Sequence, residues 1–246
     1  MRERLSFIKQ YIQEKGEVKL TELEVLLSGT SSMTLRRDLR RLEQTGDVVL
    51  TKGGAKSISH LSRIKEELYS KRSMENTAEK RAVAKKALAY VAEGRSIFLD
   101  SGTTVMYLAQ LLENQKLFIT TSAPNIALEC VKNPNAVIHL IGGNLSRDNL
   151  SLSGVTALDF LKNINIDTAF IASSGYSPKS GFTCGSFDEG EIKKHVISKA
   201  NKTIILMDSS KFGKNMPFTF ARAADADLLL SDEHIPADMK KQFKVC

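Results

Sequence analysis

Arg36, Arg37, Arg40 and Arg41, led by the small polar residues Ser32 and Thr34, are the first group in this chain whose types and spacing point to a chemistry. At about 100° per residue, Met33, Arg36, Arg37 and Arg40 fall on one side of a helix and Leu35, Leu39 and Leu42 on the other. Cations grouped on the outer face of a short helix complement phosphates and base edges, which is the makeup of a helix laid into a DNA groove. A second group lies further along the chain. An apolar run stops at Asp100-Ser101-Gly102-Thr103-Thr104, where glycine permits close backbone approach, hydroxyls donate and a helix start offers free amides, a combination suited to phosphate. The same spacing also occurs where a loop merely caps a helix. Thr120-Thr121-Ser122, Gly142-Gly143, Gly175 and Asp208-Ser209-Ser210-Lys211 stand at the ends of similar runs and together describe a polar pocket with small walls.

The arginine helix has legible ends: Ser31 or Ser32 caps its start, Gly46 takes the left-handed conformation past its end, and Asp38 is placed to pair with Arg41. Before it, Leu5, Ile8 and Ile12 space an amphipathic helix closing at Gly16. Thr21 is expected to cap a second helix with Leu23, Leu26 and Leu27 as its apolar face, and Ser28-Gly29-Thr30 is the turn that follows. Helix, helix, turn and cationic helix make a helix-turn-helix. Val48-Val49-Leu50-Thr51, Lys52-Gly53-Gly54 and residues 55–58 then read as a hairpin, a wing whose Lys52 touches phosphate.

Charge supports a basic end rather than a uniformly basic chain. Residues 1–86 hold 19 lysines and arginines against 12 aspartates and glutamates, while residues 87–246 hold 16 of each, so the whole excess of 7 sits in the first third. A polyanion partner requires the charge on the part that docks, whereas solubility would spread it out. No apolar run is long enough to span a membrane and Met1-Arg2-Glu3-Arg4 does not open a signal peptide, so the expectation is a cytoplasmic protein with no membrane partner. At 246 residues and 42% hydrophobic content there is room for one small and one larger domain. Cys130, Cys184 and Cys246 form no paired-ligand motif with the four histidines, which leaves reduced thiols and no metal as the simplest reading.

The expected division is a winged helix-turn-helix at 1–58, a solvated and partly helical linker at 59–75 and an α/β domain at 76–246. Asn76 with Glu79 reads as a capping pair opening a helix whose buried side is Ala82, Val83, Ala87, Leu88 and Val91. Six continuous apolar runs follow, at 97–99, 117–119, 137–141, 169–171, 204–207 and 228–230, the sign of strands buried on both faces. Helical stretches between most of them predict a mainly parallel sheet with its ligand site at the carboxyl ends of the strands. His139 reads as a core residue and Lys193-Lys194 as a wet helix face.

Thr34-Leu35-Arg36-Arg37-Asp38-Leu39 with Leu42-Glu43 and Gly46, Gly53-Gly54-Ala55, Glu79-Lys80, Phe98-Leu99-Asp100-Ser101-Gly102-Thr103-Thr104, Thr120-Thr121-Ser122, Gly142-Gly143, Gly181-Phe182-Thr183 and Asp208 with Lys211 and Phe212 resemble, in this order, the DeoR-type bacterial transcriptional regulators. The resemblance implies a repressor of a sugar-catabolic operon whose C-terminal domain is related in fold to ribose-phosphate isomerase and takes a phosphorylated sugar as effector, with no cofactor. It further implies that Ser101, Gly102, Thr103 and Thr104 hold the phosphate with Ser122 and Gly143 nearby, and that Glu189 and Lys211 meet hydroxyls or a second anionic group. Asp100, Thr121 and Asp208 complete the set. Two positions depart from the family pattern: Leu50 and Lys52 replace the usual arginine and histidine of the wing, and Ala172-Ser173-Ser174-Gly175 lacks the acidic residue many members carry there. A working isomerase, the alternative, needs a positioned base, for which Glu189 and Asp208 are the obvious candidates. One recognition helix reads too few bases to find an operator, so a dimer or tetramer on double-stranded DNA is expected.

Overall fold

The computed structural model describes residues 2–57, 67–240 and 243, and the chain divides into two compact units, Met1–Lys65 and Glu66–Cys246. The first contains α1 (Arg2–Lys15), β1 (Glu17–Lys19), α2 (Leu20–Leu26), α3 (Ser32–Gln44), β2 (Val48–Thr51) and β3 (Gly54–Ser57). Ile8 and Ile12 of α1, Leu23 of α2 and Leu35, Leu39 and Leu42 of α3 close on Val18, Val48 and Ala55 of the small sheet to form one core. The cap of α3 is Ser31, whose hydroxyl accepts from the Thr34 amide at 3.3 Å, and Gly46 beyond the helix has φ +75°.

Several local expectations are corrected here. Thr21 does not cap α2, which begins at Leu20 behind Lys19, two residues earlier than expected and with no side-chain cap, and Leu26 is exposed rather than part of the apolar face. Asp38 turns inward to Arg4 of α1 at 2.7 Å instead of pairing with Arg41. Strand β1, too short to show an alternating pattern, adds a third strand against β3 with Val18 opposite Ala55. That pairing explains Gly54: a Cβ there would lie 1.9 Å from the Val18 carbonyl oxygen. Ile58 and positions 59–66 of the expected linker lie outside the described residues.

In the second unit α4 (Tyr69–Met74) and α5 (Thr77–Leu88) precede β4 (Ser96–Leu99), α6 (Thr103–Ala109), β5 (Leu117–Thr121), α7 (Pro124–Cys130) and β6 (Ala136–Leu140). The short pair β7 (Asn144–Leu145) and β8 (Leu152–Ser153) leads to α8 (Val155–Leu161), β9 (Ile166–Ala172), β10 (Gly175–Ser177), β11 (Gly181–Cys184) and α9 (Phe187–Lys199). β12 (Ala200–Leu206), β13 (Phe218–Ala221), β14 (Leu228–Leu230) and α10 (Ala237–Lys240) complete it. The six apolar runs all lie in a wholly parallel sheet of order β14-β12-β9-β4-β5-β6. On one face α5, α6 and α7 bury Val83, Val105, Leu108 and Ile126 against Ile97, Leu99, Ile119 and Phe170. On the other, α8 and α9 bury Leu161, Ile192 and Val196 against Phe98, Ile171 and Ile205.

The sheet edge differs from the expectation of strands buried on both faces. Phe118 of β5 and its neighbour Val137 of β6 remain 45% and 49% exposed, and His139 on the same edge is half-buried rather than a core residue. The end of the expected linker is also folded: α4 belongs to the second unit, where the Tyr69 amide donates to the Asp148 carbonyl at 2.7 Å. Asn76 precedes α5 in a left-handed conformation, φ +50°, and its side chain does not cap that helix.

Candidate nucleic-acid interface and effector site

The outer face of α3 carries Ser32, Met33, Arg36, Arg37 and Arg40, all exposed, with Met33 80% exposed and Thr34 half-buried at the helix start. Because Asp38 is buried against Arg4, its carboxylate is withdrawn from this face. Lys52 stands exposed in the turn between β2 and β3. The leucine stripe orients these cations: burying Leu35, Leu39 and Leu42 leaves the opposite side of the helix no environment but solvent.

In the second unit, chain order runs outward from β4 in opposite directions, to β5 and β6 on one side and to β9, β12 and β14 on the other, so the topological switch lies between β4 and β9. Ligands of open parallel sheets bind outside the carboxyl ends of the strands at such a switch. Here those ends are Asp100-Ser101-Gly102-Thr103-Thr104 and Ala172-Ser173-Ser174-Gly175. They meet closely, since a Cβ on Gly102 would lie 2.1 Å from that of Ala172. Ser101, Thr103 and Thr104 are buried, yet no protein partner meets their hydroxyls among the described residues. Nor does any protein oxygen accept from the backbone amides of Gly102, Thr103 or Thr104. Donors grouped in this way and left without protein acceptors have the chemistry to take an anion.

Beneath the loop is a buried ionic cluster. Lys193 pairs with Asp100, with Glu189 at 3.0 Å and with the Ala172 carbonyl at 3.1 Å, while Asp100 also accepts from the Ala172 amide at 2.9 Å. Glu189 in turn accepts from the Asn149 amide. Burial opposes the charge on Lys193, but the carboxylates of Asp100 and Glu189 outweigh it and hold its pKa above the ordinary lysine value. The expectation of a wet face at Lys193-Lys194 is therefore corrected: Lys193 is 2% exposed, and only Lys194 faces solvent. Asp100 and Glu189 reach the site region as the scaffold of the loop, not as free carboxylates.

The remaining expected residues divide by what their groups already do. Thr121 donates to the Leu99 carbonyl at 2.6 Å and accepts from the Ala123 amide at 3.1 Å, so its hydroxyl is engaged in the fold. Ser122 is buried beside it, and its carbonyl accepts from the Leu152 amide. Gly143, at φ +116°, lets β7 approach Ser153, whose carbonyl oxygen a Cβ would meet at 2.3 Å. Asp208 caps a turn through the Ser210 amide at 3.2 Å and accepts from the Asn76 side chain at 3.4 Å. Lys211 is half-buried; its amide donates to the Asp208 carbonyl at 3.1 Å, while its ammonium makes no ion pair or hydrogen bond among the described residues.

One residue of this region, quoted in sequence only as part of the Glu79-Lys80 motif, was given no role there. Lys80 of α5 is 1% exposed and donates to the carbonyls of Arg72, in α4, and of Glu75, between α4 and α5, the latter at 2.7 Å. Burial pushes its ammonium down to about 8, against the pull of the Asp208 carboxylate and with added repulsion from Lys211. Lys80, Val83, Ala84 and Ala87 fall on one helical face, so a cation set in an apolar stripe was the available signal.

Comparison with known proteins places these arrangements. The DeoR-like helix-turn-helix domain matches residues 4–60, and the DeoR C terminal sensor domain matches residues 75–233. The HTH-type transcriptional regulator GlpR of Haloferax volcanii is 33% identical over 88% of this chain and 84% of its own length. GolR of Listeria innocua, another HTH-type transcriptional regulator, is 30% identical over 98% and 94%. A protein of Escherichia coli O157:H7 provisionally named an aga operon transcriptional repressor is 30% identical over 96% and 88%. Among solved structures, ribose 5-phosphate isomerase A of Methanocaldococcus jannaschii aligns over 56% of this chain and 55% of its own at 20% identity and a TM-score of 0.42, a likeness too distant to carry an inference.

Proposed function

Because this chain belongs to the DeoR family of transcriptional regulators, we propose that it represses a carbohydrate-catabolic operon and leaves its operator when a phosphorylated sugar binds at Ser101-Gly102-Thr103-Thr104. One observation supports the effector assignment above the others: buried hydroxyls and amides without protein acceptors, gathered at the switch point of the parallel sheet. Lys211 adds an uncommitted cation for the same anion. In the DNA-binding unit, Arg36, Arg37 and Arg40 with Ser32, Met33 and Thr34 enter the major groove and Lys52 touches phosphate. The protein acts in the cytoplasm as a homodimer or tetramer, since two half-sites are needed for operator-level affinity. No helix among the described residues is long and apolar enough to cross a membrane.

Release follows from linkage. If the phosphosugar favours an arrangement of subunits in which paired α3 helices no longer match successive major grooves, it weakens DNA binding by the factor by which DNA weakens its own. A coupling of about 1.5–3 kcal/mol gives a roughly 10- to 150-fold loss of affinity. Isomerase chemistry is not favoured: the relatives are named as regulators, and the carboxylates of Glu189 and Asp208 are both engaged by other groups. The test is fluorescence anisotropy on an operator selected from a random-sequence duplex library, titrated with a panel of sugar phosphates. At least one should displace the DNA at least tenfold, and Thr103→Ala should need more of it for the same release. If no sugar phosphate alters DNA affinity, the reading is wrong.

A further inference from the structure

We propose that the cavity walled by α4, α6 and α7 receives the hydroxylated body of the ligand whose phosphate the 101–104 loop holds, an inference that rests on the phosphosugar reading above. The cavity has a volume of about 350 Å³, within the range of roughly 300–1,000 Å³ usual for small-molecule sites. Tyr69 and Ser73 of α4, Thr103, Tyr107 and Gln110 on the α6 side, and Asn125 of α7 form most of its wall. Thr103 belongs to both the cavity and the phosphate loop, so the two spaces adjoin.

The chemistry of the wall selects the ligand class. Phenol, hydroxyl and carboxamide side chains line it while presenting mostly carbon to the cavity, and the one carboxylate, Glu129, is already paired with Lys132 at 2.7 Å. Neutral groups that both donate and accept match vicinal hydroxyls, and a phenol ring offers an apolar face to the C–H side of a sugar. The guanidinium groups of Arg72 and Arg81 lie 5.9 and 5.1 Å from the ring centroids of Tyr69 and Tyr107. They give the surroundings a positive character that favours an anionic polyol over a neutral one.

Asn125 lines the cavity beside Tyr69, and its amide opposes the burial that raises the phenol's pKa. One further feature marks the cavity as built for an occupant. Leu150, which closes the wall, has φ +52°, a left-handed conformation that branched residues rarely adopt and that concentrates at functional sites. Moreover, α4 is the first described element after the connector from the DNA-binding unit, so a ligand touching Tyr69 and Ser73 touches the segment that leads to that unit.

The test is isothermal titration of the full chain with inorganic phosphate, ribose 5-phosphate, glucose 6-phosphate and fructose 1-phosphate. Wild type should bind one of the sugar phosphates at least tenfold more tightly than inorganic phosphate. Asn125→Ala and Tyr69→Phe should each reduce that ratio several-fold. Because the ratio is taken within one protein, partial unfolding of a variant does not imitate the result. If both variants keep the wild-type ratio, the cavity assignment is overturned while the phosphosugar reading stands. A wild type that prefers none of the three sugar phosphates to inorganic phosphate also overturns it, with the anion loop intact. A protein that binds none of the four overturns both.

Discussion

Lys193, Asp100 and Glu189 bring three ionised groups into one buried site, and their mutual attraction must offset the loss of water around each. Removing the cation strands two carboxylates in the interior, a change that typically costs about 3–5 kcal/mol. Lys193→Met is accordingly expected to lower the unfolding free energy by about that much in urea melts, and a loss of under about 1 kcal/mol would show that the cluster does not brace the loop. Adjacent lysines gave no sign of this in the sequence. Only the inward phase of Glu189, Ile192, Lys193 and Val196 on α9 separates the buried one from its neighbour. Lys80 poses the opposite case. A base whose pKa falls on folding, here to about 8, binds fewer protons in the native state than in the unfolded one, so its contribution to stability rises as pH climbs from about 8 to the ordinary lysine value near 10.4. The difference in unfolding free energy between wild type and Lys80→Met should therefore grow over that window, and a flat difference would assign the low pKa elsewhere.

Among the elements, α3 and the hairpin divide the work of DNA recognition differently. Arg36 projects from the exposed face of a helix suited to a groove, whereas Lys52 stands exposed in the hairpin turn and is proposed to touch only the sugar-phosphate backbone. Arg36→Ala should cost about 1–3 kcal/mol of operator affinity and relax sequence preference. Lys52→Ala should weaken all duplexes about equally and reduce the salt slope by about 1. Anisotropy on specific and scrambled duplexes at several salt concentrations separates the two, and equal losses for both variants on both duplexes would mean that α3 does not read bases. The elements legible in sequence were those with a strong period or a continuous apolar run: α1, α3 and the six strands of the parallel sheet. β1 escaped because three residues carry no period, and α4 was read only as helix within a solvated connector, whereas its backbone is held by the second unit through the Tyr69 amide.

Across the whole molecule, the excess of positive charge lies in the first third of the chain, and the remainder is balanced. Affinity for a polyanion and affinity for a small effector are thus assigned to different units, each with its own core. Sequence reading placed the 101–104 loop at the carboxyl end of a strand, where it is found, but not at the switch point, which depends on the strand order. What motifs could not show is which polar groups there were already committed, because that depends on partners far apart in the chain: Asp100 with Lys193, Thr121 with Leu99, Asp208 with Asn76. Those commitments bear on how a ligand is received. With Asp100 tied at once to α9 and to the end of β9, the entry to the 101–104 segment is fixed before anything arrives, so on the proposed reading an incoming phosphate would meet donors already set in place and lose little ordering entropy on capture. Selectivity in such a receptor is decided by fit, and any movement that accompanies occupancy must come from parts of the domain less firmly anchored than this loop.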